Sequence, residues 1–109
     1  MKLPNGELAI VSMEKIVGYC LNLNHSLGKH KARVFASALE ITVENAGELE
    51  KLIRQAAIKG DVVQQNRTEF SFLYKVDWPV INRPSVTLRT LWEITTEQPN
   101  PRLVSAFIK

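Results

Sequence analysis

The run Phe70-Ser71-Phe72-Leu73-Tyr74-Lys75-Val76 decides the fold. Phe70, Phe72, Tyr74 and Val76 alternate with Ser71, Leu73 and Lys75, the period of two that lays one face of a β-strand on a core. Immediately upstream the period is helical. Leu49, Leu52, Ile53, Ala56 and Ala57 form a core stripe between Asn45 and Gly60. Asn45 with Glu48 three residues later has the form of a capping box, and Gly60 stands where a helix C′ glycine belongs. The change of period at Gly60 divides a helical half, about 12–60, from a sheet half, about 61–109.

Working outward, Val86, Leu88, Thr90, Trp92 and Ile94 alternate with Thr87, Arg89, Leu91 and Glu93, which predicts a second long strand. Asp61–Asn66 and Leu103–Ile108 are shorter strand candidates. Trp78-Pro79 through Arg83-Pro84, and Gln98-Pro99-Asn100-Pro101, read as turns, because proline donates nothing to a central ladder. That reading puts Trp92 and Phe72 in the core and leaves Trp78 exposed for a partner.

In the helical half, Pro4-Asn5-Gly6 is a turn and Leu8–Val11 a short apolar anchor. Ser12 is the N-cap of a first helix with the stripe Met13, Ile16, Val17, Cys20, weakened by about 1 kcal/mol at Gly18. A second helix runs from Lys29 to about Leu39, with Lys31, Phe35 and Ala38 on one side and Ala32, Ala36 and Leu39 on the next. Helices first and strands second predict an α+β domain. Three N-terminal helices pack on one face of a C-terminal antiparallel four-stranded meander. The other face shows Ser71, Lys75, Thr87, Arg89 and Ser105 to solvent.

A length of 109 residues with 45% apolar and 23% charged residues fits one soluble domain, 1–109. No apolar run approaches the roughly 18–20 residues that span a bilayer, and the N-terminus lacks the apolar core of a secretory signal. Cys20 has no partner for an internal disulfide, so a cytoplasmic setting is expected. The net charge of +3 resides within residues 1–39, where Lys2, Lys15, Lys29, Lys31 and Arg33 outnumber Glu7 and Glu14. Such a local surplus steers polyanions.

Within that region, His25-Ser26-Leu27-Gly28-Lys29-His30-Lys31-Ala32-Arg33 gathers both histidines with three cations around a glycine. A neutral imidazole accepts a proton at physiological pH, which makes His25 a candidate base or acid. Gly28 precedes a helix N-terminus, where free N–H groups favour an anion. Against this stand plain structural readings, a loop-capping histidine and a solvated basic helix face. No Cys/His/Asp/Glu set has metal-ligand spacing, and no glycine-rich nucleotide loop is present, so neither metal nor cofactor is expected.

Several segments together resemble a family of small bacterial proteins with no assigned function. They are Leu3-Pro4-Asn5, Lys15-Ile16-x-x-Tyr19-x-Leu21-Asn22, His25-x-x-Gly28-x-x-Lys31-Ala32-x-x-Phe35, Trp92-x-Ile94 and Pro101-Arg102-Leu103-Val104. Two positions depart from that pattern: Ser26 stands where the family often has proline, and Glu40 where it often has glycine. The resemblance implies Lys15, His25, Lys31 and Arg102 as site residues. Related modules end bacterial polymorphic toxins, which implies an effector role. The order of elements is also similar to the barnase/RelE-type ribonuclease folds.

The leading expectation is a metal-independent endoribonuclease. His25 serves as base or acid, and Lys31 with Arg102 or Arg89 clamps phosphate, flanked by Lys15, Lys29 and Arg33. Its alternative is a non-catalytic module whose basic segment docks a small acidic protein encoded beside it.

Overall fold

The computed structural model describes residues 1–109 and places four strands in one antiparallel sheet, ordered β1-β2-β3-β4. They are β1 (Asp61–Arg67), β2 (Ser71–Val80), β3 (Arg83–Thr95) and β4 (Arg102–Ile108). Three helices precede them: α1 (Met13–Lys15), continued by a π-helical turn Ile16–Cys20, then α2 (Lys29–Leu39) and α3 (Ala46–Lys59). The chain is therefore α+β, helices first and meander second.

The alternating pattern holds along the middle of the long strands, whereas Phe72, expected in the core, is 37% exposed at the start of β2. Tyr74, Val76, Trp78 and Val80 on β2, and Leu88, Thr90 and Trp92 on β3, are buried, and they face one another in register as Tyr74–Trp92, Val76–Thr90 and Trp78–Leu88. Ile16, Phe35, Leu49 and Ile53 close the same core from the helical side. Thr90 is the polar member of this layer. It accepts from Trp92 Nε1 at 2.7 Å and donates to Val76 O at 3.4 Å, so neither buried polar group is stranded.

Trp78 was expected in a turn and exposed, yet it is 6% exposed and inside β2. The reason lies in Pro79. Pairing of β1 with β2 ends at Asp61–Asp77, so proline's missing N–H falls beyond the partner strand and breaks no ladder bond. The reversal falls instead at Ile81-Asn82, between β2 and β3. Phe70, expected on the core face, sits 76% exposed in the β1–β2 turn. There Thr68 Oγ1 accepts from the Phe70 and Ser71 N–H groups and fixes the turn ahead of the strand. Ser105, expected at the solvent face, is buried.

Helix ends also differ from expectation. Ser12 does cap α1, accepting from Lys15 N at 3.4 Å. The π turn buries Ile16 and Cys20 but leaves Met13 and Val17 exposed, a narrower stripe than the spacing predicts. The capping box belongs to Thr42 and Asn45, which close the 3₁₀ turn Val43–Asn45, and not to Asn45 with Glu48. Gly60 is extended, with φ −70°, rather than left-handed. Its glycine is required by space, since a Cβ there would lie 2.6 Å from Val76 Cγ1. The left-handed helix end is at Glu40, φ 58°, where Glu40 N–H reaches Ala36 O in the αL capping motif and Ile41 N–H reaches back to Phe35 O.

The lead-in segment is stapled to the far edge of the sheet. Ile10 N–H donates to Pro101 O at 2.8 Å and Leu103 N–H to Ile10 O at 3.0 Å, a parallel bridge at the start of β4. The π turn and α2 pack along the rest of β4, where the Ala106 N–H is directed at Cys20 Sγ. That edge of the sheet is where the basic segment arrives.

Candidate functional site

The loop between the π turn and α2 holds itself rigidly. Asn22 Nδ2 donates to Gly18 O, Asn22 Oδ1 accepts from Asn24 N–H, and Lys29 N–H donates to His25 O. His25 completes the loop through its ring: Nδ1 accepts from the N–H groups of Leu27 and Gly28, each at 3.0 Å. An imidazole nitrogen accepting two amide protons carries none of its own, so the neutral ring bears its hydrogen on Nε2. His25 is therefore a loop cap whose free face is a donor. The Gly28 N–H, expected to await an anion, is already spent on this bond.

Tyr19 is the centre of what remains. Its ring meets that of His25 edge-on, with centroids 4.9 Å apart at 85°. Lys15 Nζ lies 5.5 Å and Lys31 Nζ 5.8 Å from the same ring centroid. Lys31 also stands 4.5 Å from the Phe107 ring on β4. Each is within reach of the electron-rich ring face, which holds an ammonium in place without neutralising it. Neither lysine takes part in an ion pair, and neither do Lys29 or Arg33.

Lys15 and Tyr19 also line a groove of about 480 Å³ with Glu14, Gly18, Arg102 and Val104. Arg102, 63% exposed, pairs with Glu93 at 2.7 Å across β3 and β4. A pair this exposed is worth about 0–1 kcal/mol, so an incoming anion can displace the carboxylate. The structure thus brings Lys15, His25 and Lys31 around Tyr19 and places Arg102 in the lining of the same groove as Lys15. Lys29 is half-buried at the start of α2, and Arg33 is exposed further along it.

Arg89 stands apart. Its Nε and Nη2 donate to the two Asp77 oxygens at 2.7 and 2.8 Å, with side chains only 20% and 12% exposed. Lys109 Nζ adds a contact to Asp77 at 3.5 Å. A bidentate, half-desolvated pair of this kind is expensive to open, and Arg89 is bound in it rather than free for phosphate. Sequence reasoning missed Tyr19 and Phe107 as site members. Tyr19 had a signal, four residues after Lys15 in the motif. Phe107 had none, because only the tertiary fold brings β4 to α2.

Cys20, beneath Tyr19, is buried, and burial pushes its thiol above the ordinary value despite Lys15 and Lys31 nearby. It stays a neutral thiol, an acceptor for the Ala106 N–H and not a nucleophile. No three His, Cys, Asp or Glu side chains gather at one place, and no helix is long and apolar enough to cross a membrane.

Fold and site define a small α+β domain with a cationic, aromatic-backed groove at one sheet edge. The chain belongs to the family described as a domain of unknown function (DUF6883), whose family model matches residues 2–109. No curated protein matches it. No solved structure does either, so the likeness to barnase/RelE-type ribonucleases rests on the order of elements alone.

Proposed function

We propose that this domain grips the phosphodiester backbone of RNA and cleaves it without a metal, in the manner of a toxin-type endoribonuclease. The observation that supports this reading is the convergence of two unpaired ammonium groups, Lys15 and Lys31, on the Tyr19 ring beside the His25 edge. Fixed, uncompensated cations stabilise the charge that develops when a 2′-oxygen attacks its neighbouring phosphorus, closing a 2′,3′-cyclic phosphate as the bond to the 5′-oxygen breaks and that oxygen takes a proton from water. A base also stacks on a tyrosine face, which favours single-stranded nucleic acid.

The tautomer of His25 reassigns its role. With Nδ1 engaged, the ring offers Nε2–H to a phosphate oxygen and does not act as the base. The carboxylate that lines the groove with Lys15 and Arg102 is Glu14, which makes it the acceptor for the 2′-OH proton. The test is incubation of the pure protein with mixed single-stranded RNAs in EDTA. Cleavage by wild type, lost in Glu14→Gln while binding persists, supports the assignment. Intact RNA with wild type defeats it.

One observation favours a second reading, a non-catalytic module that docks a small acidic protein. His25 caps a loop, as a purely structural histidine would, and Arg33 is exposed on α2 with Lys29 half-buried at its start. Co-expression with the product of an adjacent gene for a small acidic protein, followed by co-purification, distinguishes the two. A complex that Lys29→Glu with Arg33→Glu abolishes, together with no RNA cleavage by the free protein, establishes the module.

A further inference from the structure

Ser105 Oγ is buried without any hydrogen-bond partner, the one side-chain nitrogen or oxygen in the chain so placed. The residue is 5% exposed. Leaving a hydroxyl unpaired in the interior destabilises the fold, and alanine or valine would fill a strand position without that cost. Every other buried side-chain nitrogen or oxygen is paired, as Thr90 with Trp92 and Val76 shows. Such an exception calls for a partner that arrives later.

Its place on the strand says what that partner is. Along β4, Ser105 and Phe107 share one face and Ala106 takes the other, with its N–H turned to Cys20. Phe107 is the residue whose ring lies 4.5 Å from Lys31 Nζ. Ser105 is thus one step along the same face from the ring that carries an unpaired ammonium. Because β4 is the edge strand, its flank is formed by the turn bearing Tyr19 and by α2. A donor hydroxyl beside a fixed cation, with no acceptor supplied by the protein, is complementary to an anionic oxygen.

We infer that Ser105 is a substrate-binding residue whose hydroxyl donates to a phosphodiester oxygen held by Lys31. This rests on the phosphodiester reading above and adds to it a position on β4 that sequence reasoning placed in solvent. Ser105 Oγ is enclosed in the free protein, so seating the anion requires the side chains that cover it to draw aside.

The test is binding of a fluorescein-labelled 2′-O-methyl single-stranded RNA, which cannot be cleaved, followed by anisotropy, with inorganic phosphate as a competing probe. Four proteins are compared: wild type, Ser105→Ala, Ser105→Thr and Lys31→Met. Ser105→Ala is expected to melt no lower than wild type, since it removes an unpaired polar group, yet to bind roughly five- to tenfold more weakly, the size of one hydrogen bond. Ser105→Thr, which keeps the hydroxyl, restores binding. Competition by millimolar phosphate for wild type but less for Ser105→Ala locates the contact on phosphate rather than base. Unchanged affinity in Ser105→Ala, with affinity lost in Lys31→Met, overturns the role of Ser105 and leaves the site standing. A lower melting point in Ser105→Ala with no restoration by threonine shows an internal structural partner and also overturns it. Absence of binding by wild type removes the phosphodiester reading and this inference with it.

Discussion

Lys31 Nζ stands 4.5 Å from the centre of the Phe107 ring, tying α2 to the edge strand β4 through a charge that no carboxylate neutralises. A helical lysine four residues before the fully buried Phe35 packs its stem along the core and projects its head past the sheet edge. Cation–ring contacts at half-exposed sites contribute about 0.5–1 kcal/mol. Methionine keeps the stem and makes its own sulfur–ring contacts. Lys31→Met is therefore expected to change stability by less than about 1 kcal/mol in urea unfolding. RNA affinity, measured by anisotropy, should fall at least tenfold, since a fixed phosphate contact is lost. A large stability loss with unchanged affinity would make Lys31 a packing residue.

For His25 the cap and the donor separate by substitution. Asparagine places an acceptor oxygen near the position of Nδ1, whereas alanine leaves the Leu27 and Gly28 amides open. His25→Ala should cost about 1 kcal/mol, the usual value of a lost cap, and His25→Asn much less. Neither should retain the Nε2–H contact to phosphate, so both lose RNA affinity. Long-range nitrogen–proton NMR spectra of the wild type should show the Nε2–H tautomer. Finding the hydrogen on Nδ1 would contradict the two amide bonds.

Period and turn chemistry made most of the architecture legible, and the misreadings have physical causes. The switch at Gly60 was readable because Leu49, Ile53 and Ala56 on α3, and Tyr74, Val76, Leu88 and Trp92 on the sheet, meet in one core. Trp78 was misplaced because proline's effect depends on whether a partner strand reaches it, which is a property of register. Arg89 could not be discounted from sequence, since Asp77 lies twelve residues away and becomes its neighbour only by strand pairing. The basic segment was legible as a cluster, and Lys15, His25 and Lys31 do converge. Their common centre, Tyr19, was visible only as a motif residue four positions after Lys15, and nothing in the sequence shows that the three side chains meet at its ring.

Glu40 holds a backbone conformation that suits glycine better than a residue with a side chain. It occupies φ 58°, ψ 33° at the end of α2. A side chain there costs about 1 kcal/mol relative to glycine. Glu40→Gly should raise the urea midpoint with no change of slope, a gain in stability of no more than about 0.5 kcal/mol once the entropy glycine adds to the unfolded chain is subtracted. Loss of stability would mean the Glu40 side chain contributes more than its backbone costs.

The Asp77–Arg89 pair predicts a pH dependence whose sign follows from Asp77. Two bonds from Arg89 hold its carboxyl below the usual range, outweighing the burial that pushes it up, and Lys109 adds to the effect. A carboxylate lowered on folding stabilises the fold above its unfolded value, about 3.9, and that stability is lost as pH falls through the lower folded value. Asp77→Asn should cost about 1–3 kcal/mol near neutrality, because it leaves a largely desolvated guanidinium with a weaker partner. The difference between the two proteins should stay level above about pH 5 and shrink once pH drops below about 4. A gap that persists to pH 2 would mean the charge of Asp77 is not what the pair depends on.

Gly28 links loop, cap and site in one atom's worth of space. Its backbone, φ −101° and ψ −9°, is open to any residue, so conformational freedom does not explain the glycine. Space does: a Cβ would sit 2.8 Å from Tyr19 O and 3.4 Å from Tyr19 Cδ1 and Cε1. The first contact is with backbone and forces the π turn away from the head of α2. It also strains the Gly28 N–H bond to His25 Nδ1. Gly28→Ala should therefore destabilise by about 1–3 kcal/mol, the range of overpacking in a close contact. Because the displaced residue carries the ring shared by Lys15, Lys31 and His25, RNA affinity should drop well beyond what partial unfolding explains. Anisotropy at a temperature where the variant is fully folded by circular dichroism separates the two effects. Wild-type affinity in that folded variant would show that the position of Tyr19 does not set the site.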